Sequence, residues 1–235
     1  MKLLRDRLDH AASAAGVPLD VIQKDYALSH VLVGIASQRV LAETLVLKGG
    51  TALKKYCFGD YRFSEDLDFS TREAPRGVEL ESALDAAKEA ATKSLQGYGP
   101  FSVEMQRVRH RGPHPKGQED FTVSVRFPWQ TLVGTKIKLE ITHDEPVLLE
   151  PEPRDLIHEY GEQLAATLPC YRVGSDWIYR TVHRIEEGGG NREDLDTLVS
   201  VCDGMVGKTI CVFADAAALP AKSFVAKFRD EFNDH

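Results

Sequence analysis

The sequence predicts an α/β (α+β) protein, in which a mixed sheet flanked by helices is followed by a mainly helical C-terminal part. Short runs that alternate apolar and polar residues predict strands, and longer runs with apolar residues every three to four positions predict helices. The strand-like runs all lie in the first part of the chain. We therefore expect two domains, residues 1–150 and 151–235, with the proline-containing acidic segment 145–155 as the linker.

The elements follow in order along the chain. Helical periodicity predicts helices at residues 1–15, 18–38, 51–58, 78–96, 175–187, 192–204 and from about 220 onward. Buried or alternating runs predict strands at residues 45–48, 66–70, 102–110, 121–127 and 136–141. A glycine pair ends the first strand, and a charged loop rich in proline and glycine, residues 111–120, joins the third and fourth.

Composition limits the class of protein. The hydrophobic content of 43% is ordinary for a globular protein, and no apolar run is long enough to cross a membrane, so we expect a cytoplasmic protein. The net charge of −7 argues against general coating of nucleic acid but leaves a local basic groove possible. The four cysteines form no Cys-x-x-Cys pair, which favours reduced thiols over a disulfide framework or a zinc site.

Two aspartates in the run DLDFS are the first candidate site residues. Asp66 and Asp68 are two positions apart on a predicted strand, so both side chains project from the same face. Paired carboxylates repel each other unless a cation lies between them, and oxygen ligands suit Mg²⁺ or Mn²⁺. A solvent-facing edge strand with two ordinary acids remains the alternative.

The glycine pair precedes these acids. Gly49, Gly50 and Thr51 lie between a strand and a helix, where backbone N–H groups can hold a phosphate. Lys54, Lys55 and Arg62 lie nearby and carry the positive charge that a triphosphate requires, although lysines on a short helix are commonly just solvated.

Glu140 is the candidate third carboxylate. It lies in the alternating run KIKLEI, in phase with Lys136 and Lys138. Its face of the strand is either part of a two-metal site or the wet side of the sheet. By contrast, His110 and His114 lie in the charged loop, and we expect them to be exposed rather than metal ligands.

These motifs together resemble a known family. The runs KDYALSHVLVGI, VLKGGTALKKYCFGDYRFSEDLDF and KIKLEI, spanning roughly residues 20–145, are similar to the AbiEii/AbiGii toxin family of nucleotidyltransferases, which belongs to the DNA polymerase β-like superfamily and includes the MenT toxins. The resemblance implies a nucleotidyltransferase-type core and a metal set of Asp66, Asp68 and Glu140. It also implies a nucleotide pocket that contains Gly49, Gly50, Thr51, Lys54, Arg62, Ser64, Lys138 and Arg180.

The C-terminal half resembles the family less closely. Arg180 stands where the family has a lysine, and Arg192, Asp194 and Asp196 resemble a later family run that lacks its tyrosine here. Arginine keeps the charge but cannot give up its proton, so only a role as phosphate clamp is retained at residue 180.

The resemblance implies transfer of a nucleotide from an NTP to an acceptor such as the 3′ end of a tRNA, by a toxin with a cognate antitoxin. Two alternatives remain open at this point. One is an NTP-binding regulator or interaction module whose C-terminal site has decayed. The other is an enzyme that phosphorylates itself, at Ser64, or modifies a partner protein.

Overall fold

The structure is a computed structural model that describes residues 2–59, 62–71, 73–110, 112, 117–131, 134–144, 151–170, 174–206 and 212–234. The chain divides into two compact units, Met1–Tyr171 and Arg172–His235. The sequence predicts a boundary after residue 150, whereas residues 151–170 contribute two strands to the sheet of the first unit. Among the described helices, none combines the length and the apolar character that crossing a membrane would require.

The first unit contains all seven strands of the described chain. Its helices are α1 (Lys2–Ala15), α2 (Leu19–Ala36), α3 (Arg39–Thr44), α4 (Gly49–Ala52) and α5 (Val78–Gln96), with a π-helical turn at Leu53–Cys57 after α4. Its strands are β1 (Leu45–Lys48), β2 (Asp66–Thr71), β3 (Ser102–Arg107), β4 (Gln118–Arg126), β5 (Thr135–Thr142), β6 (Glu152–Asp155) and β7 (Thr167–Cys170).

These strands form one mixed sheet in the order β3-β4-β5-β2-β1-β7-β6. The pairs β2/β5 and β1/β7 are parallel, and the other neighbours are antiparallel. The central strand β2 therefore lies between β1, which leads into the glycine turn, and β5, which carries Glu140. The mixed sheet and the helices that follow it confirm the predicted fold class.

The alternation of side chains along the central strands separates a core face from a polar face. Leu67 and Phe69 of β2 and Leu139 of β5 are 0% exposed, whereas Asp66, next to Leu67, is exposed. Helix α2 packs against β5 and α5, and α5 packs against β3. The apolar face is therefore buried, and the acids are left on the other face of the sheet.

A buried ion pair links α2 to the π-helical turn. Lys55 and Asp25 form a salt bridge in which each side chain is 1% exposed. The Tyr160 hydroxyl donates to Asp25 Oδ2 at 2.7 Å, and the Lys55 ammonium lies 5.5 Å from the Tyr160 ring. Lys55 is thus part of the core rather than a charge offered to a triphosphate, because its ammonium is desolvated and already paired.

The second unit consists of helices: α6 (Gly174–Glu186), α7 (Arg192–Met205), α8 (Val212–Lys227) and α9 (Arg229–Asp234). One cluster joins Ile185, Leu195, Leu198 and Val225, and another joins Cys202, Met205 and Ala218. Asn191 caps α7 by accepting from the Asp194 N–H, and the Asp194 carboxylate accepts from the Asn191 N–H in return.

Acid is expected to destabilise the first unit through His30. Burial lowers the pKa of this fully buried imidazole from 6.5 to about 3, and the neighbouring His158 lowers it further. Because the unfolded chain takes up the proton first, this contribution to stability is complete above pH 6.5 and is lost as the pH falls toward about 3. The loss amounts to about 1.4 kcal/mol per pH unit.

The measurement is the pH dependence of the unfolding free energy in wild type and in His30→Leu. The variant has no such proton uptake. Its unfolding free energy should therefore fall less steeply as the pH is lowered, by a slope that corresponds to about one proton. Identical slopes in the two proteins would contradict the prediction.

Candidate active site

The glycine turn after β1 lies directly against the start of β2. Gly49 has a φ of +77°, and a Cβ at this position would stand 2.6 Å from Asp68 Oδ2. A Cβ at Gly50 would stand 2.8 Å from Ser64 Oγ and 3.6 Å from Arg62 Nη2. Glycine is therefore required at residue 49 by both the backbone conformation and the space, and at residue 50 by the space. The structure thus brings the turn together with Arg62 and Ser64, two of the residues predicted to line its pocket.

Thr51 fixes the position of this turn relative to β2. It is 1% exposed, and its hydroxyl donates to the Asp66 carbonyl at 2.5 Å. The side chain thus connects the helical turn to the first residue of the acidic strand. This contact is structural, so any ligand contact at Thr51 would have to come from its backbone.

Three predicted carboxylates lie on adjacent strands of one face. In the β2/β5 pairing, Asp66 is opposite Lys138 and Asp68 is opposite Glu140. Neighbouring strands are about 4.8 Å apart, and residues two apart on a strand share a face. Asp66, Asp68 and Glu140 therefore form one acidic patch, which borders the glycine turn at Asp68.

The electrostatics of this patch reflect the crowding of acids. Burial raises the pKa of Asp68 from 3.8 to about 7, and repulsion from Glu140 together with a hydrogen bond to it adds to the effect. Burial likewise raises the pKa of Asp66. The Asp68 carboxyl therefore keeps its proton up to near-neutral pH, because two ionised carboxylates at this spacing repel each other.

Glu140 also accepts from two donors. Lys138 forms an ion pair with Glu140 Oε1, and the Gln118 amide donates to the same oxygen at 3.0 Å. The hydrogen bond to Glu140 raises the pKa of Lys138. Lys138 was predicted to bind nucleotide, and the structure places it at the patch with its ammonium on Glu140.

The donor set suits a hard divalent cation. Carboxylate oxygens are the ligands that Mg²⁺ and Mn²⁺ prefer, and water and phosphate oxygens complete their coordination. Among the described residues, no three acidic, histidine or cysteine side chains form a ready coordination shell. Metal binding at this patch would therefore compete with the proton on Asp68 and with the contact between Lys138 and Glu140.

Asp120 is a fourth acid on this face and was not among the predicted site residues. It lies opposite Glu140 in the β4/β5 pairing and is 6% exposed. Strand β4 begins at Gln118, whereas the proline and glycine content of residues 111–120 predicts a loop there. The sequence contains a pattern that extends the strand to Asp120. The polar residues Asp120, Thr122 and Ser124 alternate with the buried Phe121, Val123 and Val125.

Lys54 was predicted to bind nucleotide, and its ammonium is paired within the protein. Its side chain is 6% exposed, and its ammonium donates to Glu159 Oε2 at 2.8 Å and to the Gly59 carbonyl. It also lies 5.0 Å from the centre of the Phe63 ring. The Lys54 ammonium is therefore paired with Glu159 in this structure, and its role in nucleotide binding stays a prediction.

Comparison with known proteins identifies the family. Residues 30–175, more than half of the chain, match the family described as "Nucleotidyl transferase AbiEii toxin, Type IV TA system". The chain belongs to the AbiEii nucleotidyltransferase toxin family. The match includes the glycine turn, both aspartates of β2 and Glu140, so the resemblance predicted from the sequence is confirmed.

One solved structure similar to this AbiEii-family chain is "MenT4, nucleotidyltransferase toxin Rv2826c from Mycobacterium tuberculosis H37Rv". The two are 26% identical in sequence, with a TM-score of 0.47. The similarity covers 83% of this chain and 64% of MenT4.

The C-terminal part of this AbiEii-family chain resembles a different protein. Residues 167–235 match the "NADH-ubiquinone oxidoreductase-F iron-sulfur binding region". The F subunit of the NADH-quinone oxidoreductase of Mycobacterium tuberculosis is 33% identical over 105 residues, 45% of this chain and 23% of that protein. The second F-type subunit of the NADH-quinone oxidoreductase of Rhizobium meliloti is 32% identical over 124 residues, 52% of this chain and 29% of that protein. The chain thus spans about a quarter of the length of these curated relatives.

The AbiEii match ends at residue 175, before the predicted C-terminal site residues. Arg180 lies in α6, and its side chain and that of Arg192 are outside the described residues. Asp194 caps α7 and pairs with Arg184, and Asp196 pairs with Arg229. The charges of Asp194 and Asp196 are thus used within the helical unit, and a phosphate clamp at Arg180 remains a prediction.

Replacing Gly49 with alanine is expected to lower the catalytic efficiency with NTP by about 10²-fold, because displacing Asp68 by less than an ångström disturbs reactive geometry. The left-handed backbone adds about 1–2 kcal/mol of destabilisation. Gly97→Ala is the matched control, since its Cβ would meet no atom within 4 Å. Steady-state kinetics and thermal unfolding of both variants test this, and wild-type efficiency in Gly49→Ala would contradict it.

Proposed function

We propose that this chain is a divalent-metal-dependent nucleotidyltransferase, the toxin of a toxin–antitoxin pair, that transfers NMP from an NTP to a hydroxyl acceptor. The observation that carries the proposal is the close approach of the glycine turn to the acidic patch. The space at Gly49 is limited by Asp68, and the space at Gly50 is limited by Ser64. A triphosphate on the turn would thus have its reacting phosphate beside the carboxylates of Asp66, Asp68 and Glu140.

The chain's own residues supply positioning and charge. Backbone N–H groups at the start of α4, with Arg62 and Ser64 beside Gly50, hold the triphosphate. Asp66, Asp68 and Glu140 would hold Mg²⁺ or Mn²⁺, which would supply charge neutralisation at the phosphates. Lys138, at the same patch, becomes a donor to phosphate oxygen once it leaves Glu140.

The reaction exchanges one bond to phosphorus for another. The acceptor oxygen bonds to the α-phosphorus of the NTP, and the bond between that phosphorus and the oxygen bridging to the β-phosphate breaks. Pyrophosphate leaves, and the acceptor hydroxyl proton passes to a carboxylate of the patch, a role that we assign to Glu140. Because no covalent enzyme intermediate is needed, catalysis depends mainly on geometry and electrostatics.

The acceptor and the partner are proposed from the family resemblance. We assign the 3′ end of tRNA as the acceptor and a cognate antitoxin protein as the partner, with the cytoplasm as the place of action. The net charge of −7 implies that tRNA is bound through a local basic surface rather than by the whole protein.

The test is incubation of the purified chain with each NTP labelled at the α-phosphate, Mg²⁺ or Mn²⁺, and total RNA. We expect one labelled RNA class of tRNA size, with the label lost after removal of the 3′-terminal nucleotide. Label on protein alone, or no label with any NTP and metal, would contradict the tRNA proposal.

A second candidate is phosphoryl transfer from the NTP to Ser64. The observation that favours it is the position of the Ser64 hydroxyl, which is where a Cβ on Gly50 would clash. A phosphate on the glycine turn would lie beside this hydroxyl. Intact-mass measurement after incubation with NTP distinguishes the two reactions, because phosphoryl transfer adds one phosphate to the protein and leaves RNA unchanged.

A further inference from the structure

A hydrogen-bonded chain of side chains on β4 and the preceding loop ends at Glu140. The Gln118 amide nitrogen donates to Asp120 Oδ1 at 2.6 Å and to Glu140 Oε1 at 3.0 Å. His110 Nε2 lies 2.5 Å from Asp120 Oδ2. Asp120 thus contacts His110 with one oxygen and Gln118 with the other.

The chemistry of these groups fixes the orientation of the amide. Ionised carboxylates only accept hydrogen bonds, so the NH₂ side of Gln118 must face both Asp120 and Glu140. If the amide turned over, its oxygen would face two carboxylates and repel both. Asp120 therefore holds Gln118 in the orientation that donates to Glu140.

Asp120 is buried, so it does not serve as a solvent-exposed charge on the protein surface. Its side chain is 7% exposed, and an acid so buried is costly unless it is paired and hydrogen-bonded. It does not belong to the apolar core, because Phe121 and Val123 occupy the core side of β4. Its neighbours are Gln118, His110 and, across the sheet, Glu140.

We propose that Gln118 and Asp120 are positioning residues that hold Glu140 in the geometry needed for metal binding and nucleotide transfer. The inference rests on the proposed function, since it gives Glu140 a role in that reaction. His110 Nε2 contacts the second oxygen of Asp120 and keeps it occupied. Residues of this kind around metal ligands typically change metal affinity or activity by about 10- to 100-fold.

The test compares Gln118→Met and Asp120→Asn with wild type in the nucleotide-transfer assay. Gln118→Met keeps the length of the side chain but has no donor, and Asp120→Asn keeps the shape but has no charge. We expect kcat to fall by about 10- to 100-fold and the half-saturating Mn²⁺ concentration to rise, with little change in the KM for NTP. A purely structural role would instead lower the melting temperature without this separation.

Ser124→Ala is the matched control, because Ser124 lies on the same strand and face, opposite Lys136 and away from Glu140. Unchanged kcat and Mn²⁺ dependence in both test variants would overturn the inference. If wild type transfers no nucleotide, the proposed function fails, and Mn²⁺ affinity measured by electron paramagnetic resonance decides the inference alone. Equal affinity in wild type and Gln118→Met, or no binding to either, would then overturn it.

A second inference concerns the C-terminal residues that resemble an iron–sulfur binding region. Iron–sulfur clusters are held by four cysteine thiolates, of which several are commonly spaced as Cys-x₂-Cys. The whole chain has four cysteines, Cys57, Cys170, Cys202 and Cys211, and none is followed by another at that spacing. Only three of them lie within residues 167–235.

The two described cysteines of this region are buried in different apolar surroundings. Cys170 is 1% exposed in β7 of the first unit, and its thiol donates to the Leu168 carbonyl at 3.4 Å. Cys202 is 0% exposed in α7 and packs with Met205 and Ala218. Burial raises the pKa of both thiols, which disfavours the thiolate that a cluster requires.

We infer that Arg172–His235 is a helical unit that folds without an iron–sulfur cluster. The set of cysteine ligands is incomplete, and the apolar side chains packed around Ile185 and Cys202 supply the core of the unit.

The test is the full chain expressed with added iron and purified without oxygen. We expect no stoichiometric iron or acid-labile sulfide, and a melting profile that a strong iron chelator leaves unchanged. Stoichiometric iron and sulfide that disappear in Cys202→Ser or Cys170→Ser, with a lowered melting temperature, would overturn the inference.

Discussion

Replacing Asp68 with asparagine is expected to reduce kcat for nucleotide transfer by about 10³-fold, the upper range for losing one preorganised charge in an active site. Asp68 is the acid that meets both the glycine turn and Glu140, so its charge is the one nearest to both parts of the proposed site. Asp66→Asn should also abolish most of the transfer, because Asp66 shares the same face of β2. Growth of cells that express either variant should recover in parallel.

Stability measurements separate this effect from misfolding. The raised pKa of Asp68 means that the folded, metal-free protein binds the proton more tightly than the unfolded chain does. Wild type therefore loses stability as the pH rises from 3.8 to about 7, and Asp68→Asn does not. The variant should be at least as stable as wild type at alkaline pH without metal.

Asp85→Asn, at an acid on α5 that pairs with Lys88, is the control that should leave transfer unchanged. Transfer retained in both Asp66→Asn and Asp68→Asn would contradict the assignment of the metal pair.

Replacing Lys55 with methionine is expected to destabilise the first unit by about 3–5 kcal/mol, because it leaves Asp25 as an uncompensated buried charge. Both partners of this ion pair are 1% exposed, so water does not reach the carboxylate that remains. The Tyr160 hydroxyl still donates to Asp25, but one neutral donor does not replace an ammonium. Urea unfolding of the full chain, with hydrogen exchange followed in α2, measures the loss in this unit specifically.

A second substitution provides the control for Lys55. Asp25→Asn combined with Lys55→Met removes both charges, and replacing a complete buried pair is commonly far less costly than breaking it. The double variant should therefore be more stable than Lys55→Met alone. Equal destabilisation of the two proteins would show that packing of the lysine chain, and not its charge, dominates at this position.

Much of the site follows from local sequence patterns. The spacing of Asp66 and Asp68 places them on one face because a strand has a period of two, and the structure agrees. The glycine pair indicates a turn that side chains cannot occupy, and the structure gives the reason, which is the contact with Asp68 and Ser64. The family resemblance implies that Glu140 joins the two aspartates, and the pairing of β2 with β5 is the structural reason.

Other parts depend on contacts between distant segments. Lys54 and Lys55 are adjacent lysines on a short helix, and their sequence suggests solvated or ligand-binding charges. Their partners, Glu159 and Asp25, come from segments far away in the chain. The same holds for Asp120, whose role depends on the β4/β5 register that places it opposite Glu140. Ion-pair partners and strand register are tertiary properties, so local propensity does not determine them.

The C-terminal residues show a different limit. Arg180, Asp194 and Asp196 were assigned by analogy to runs of the toxin family, but the family match ends at residue 175 and a second similarity covers residues 167–235. Helical periodicity predicted α6 and α7 to within one residue at each end, because periodicity reports burial and carries no information on ancestry. It placed the last helix from about residue 220, whereas α8 begins at Val212 and contains Pro220. A short charged motif on a helix therefore does not indicate a role unless the family match also covers it.

The most direct test of the central proposal is the fate of the two ends of the triphosphate. Parallel reactions with one NTP labelled at the α-phosphate and the same NTP labelled at the γ-phosphate are followed on RNA, on protein and in the released products. The proposal predicts label from the α-phosphate on RNA and label from the γ-phosphate in pyrophosphate, with both signals lost in Asp68→Asn. Label from the γ-phosphate on the protein, with none from the α-phosphate on RNA, would contradict nucleotidyl transfer and favour phosphoryl transfer.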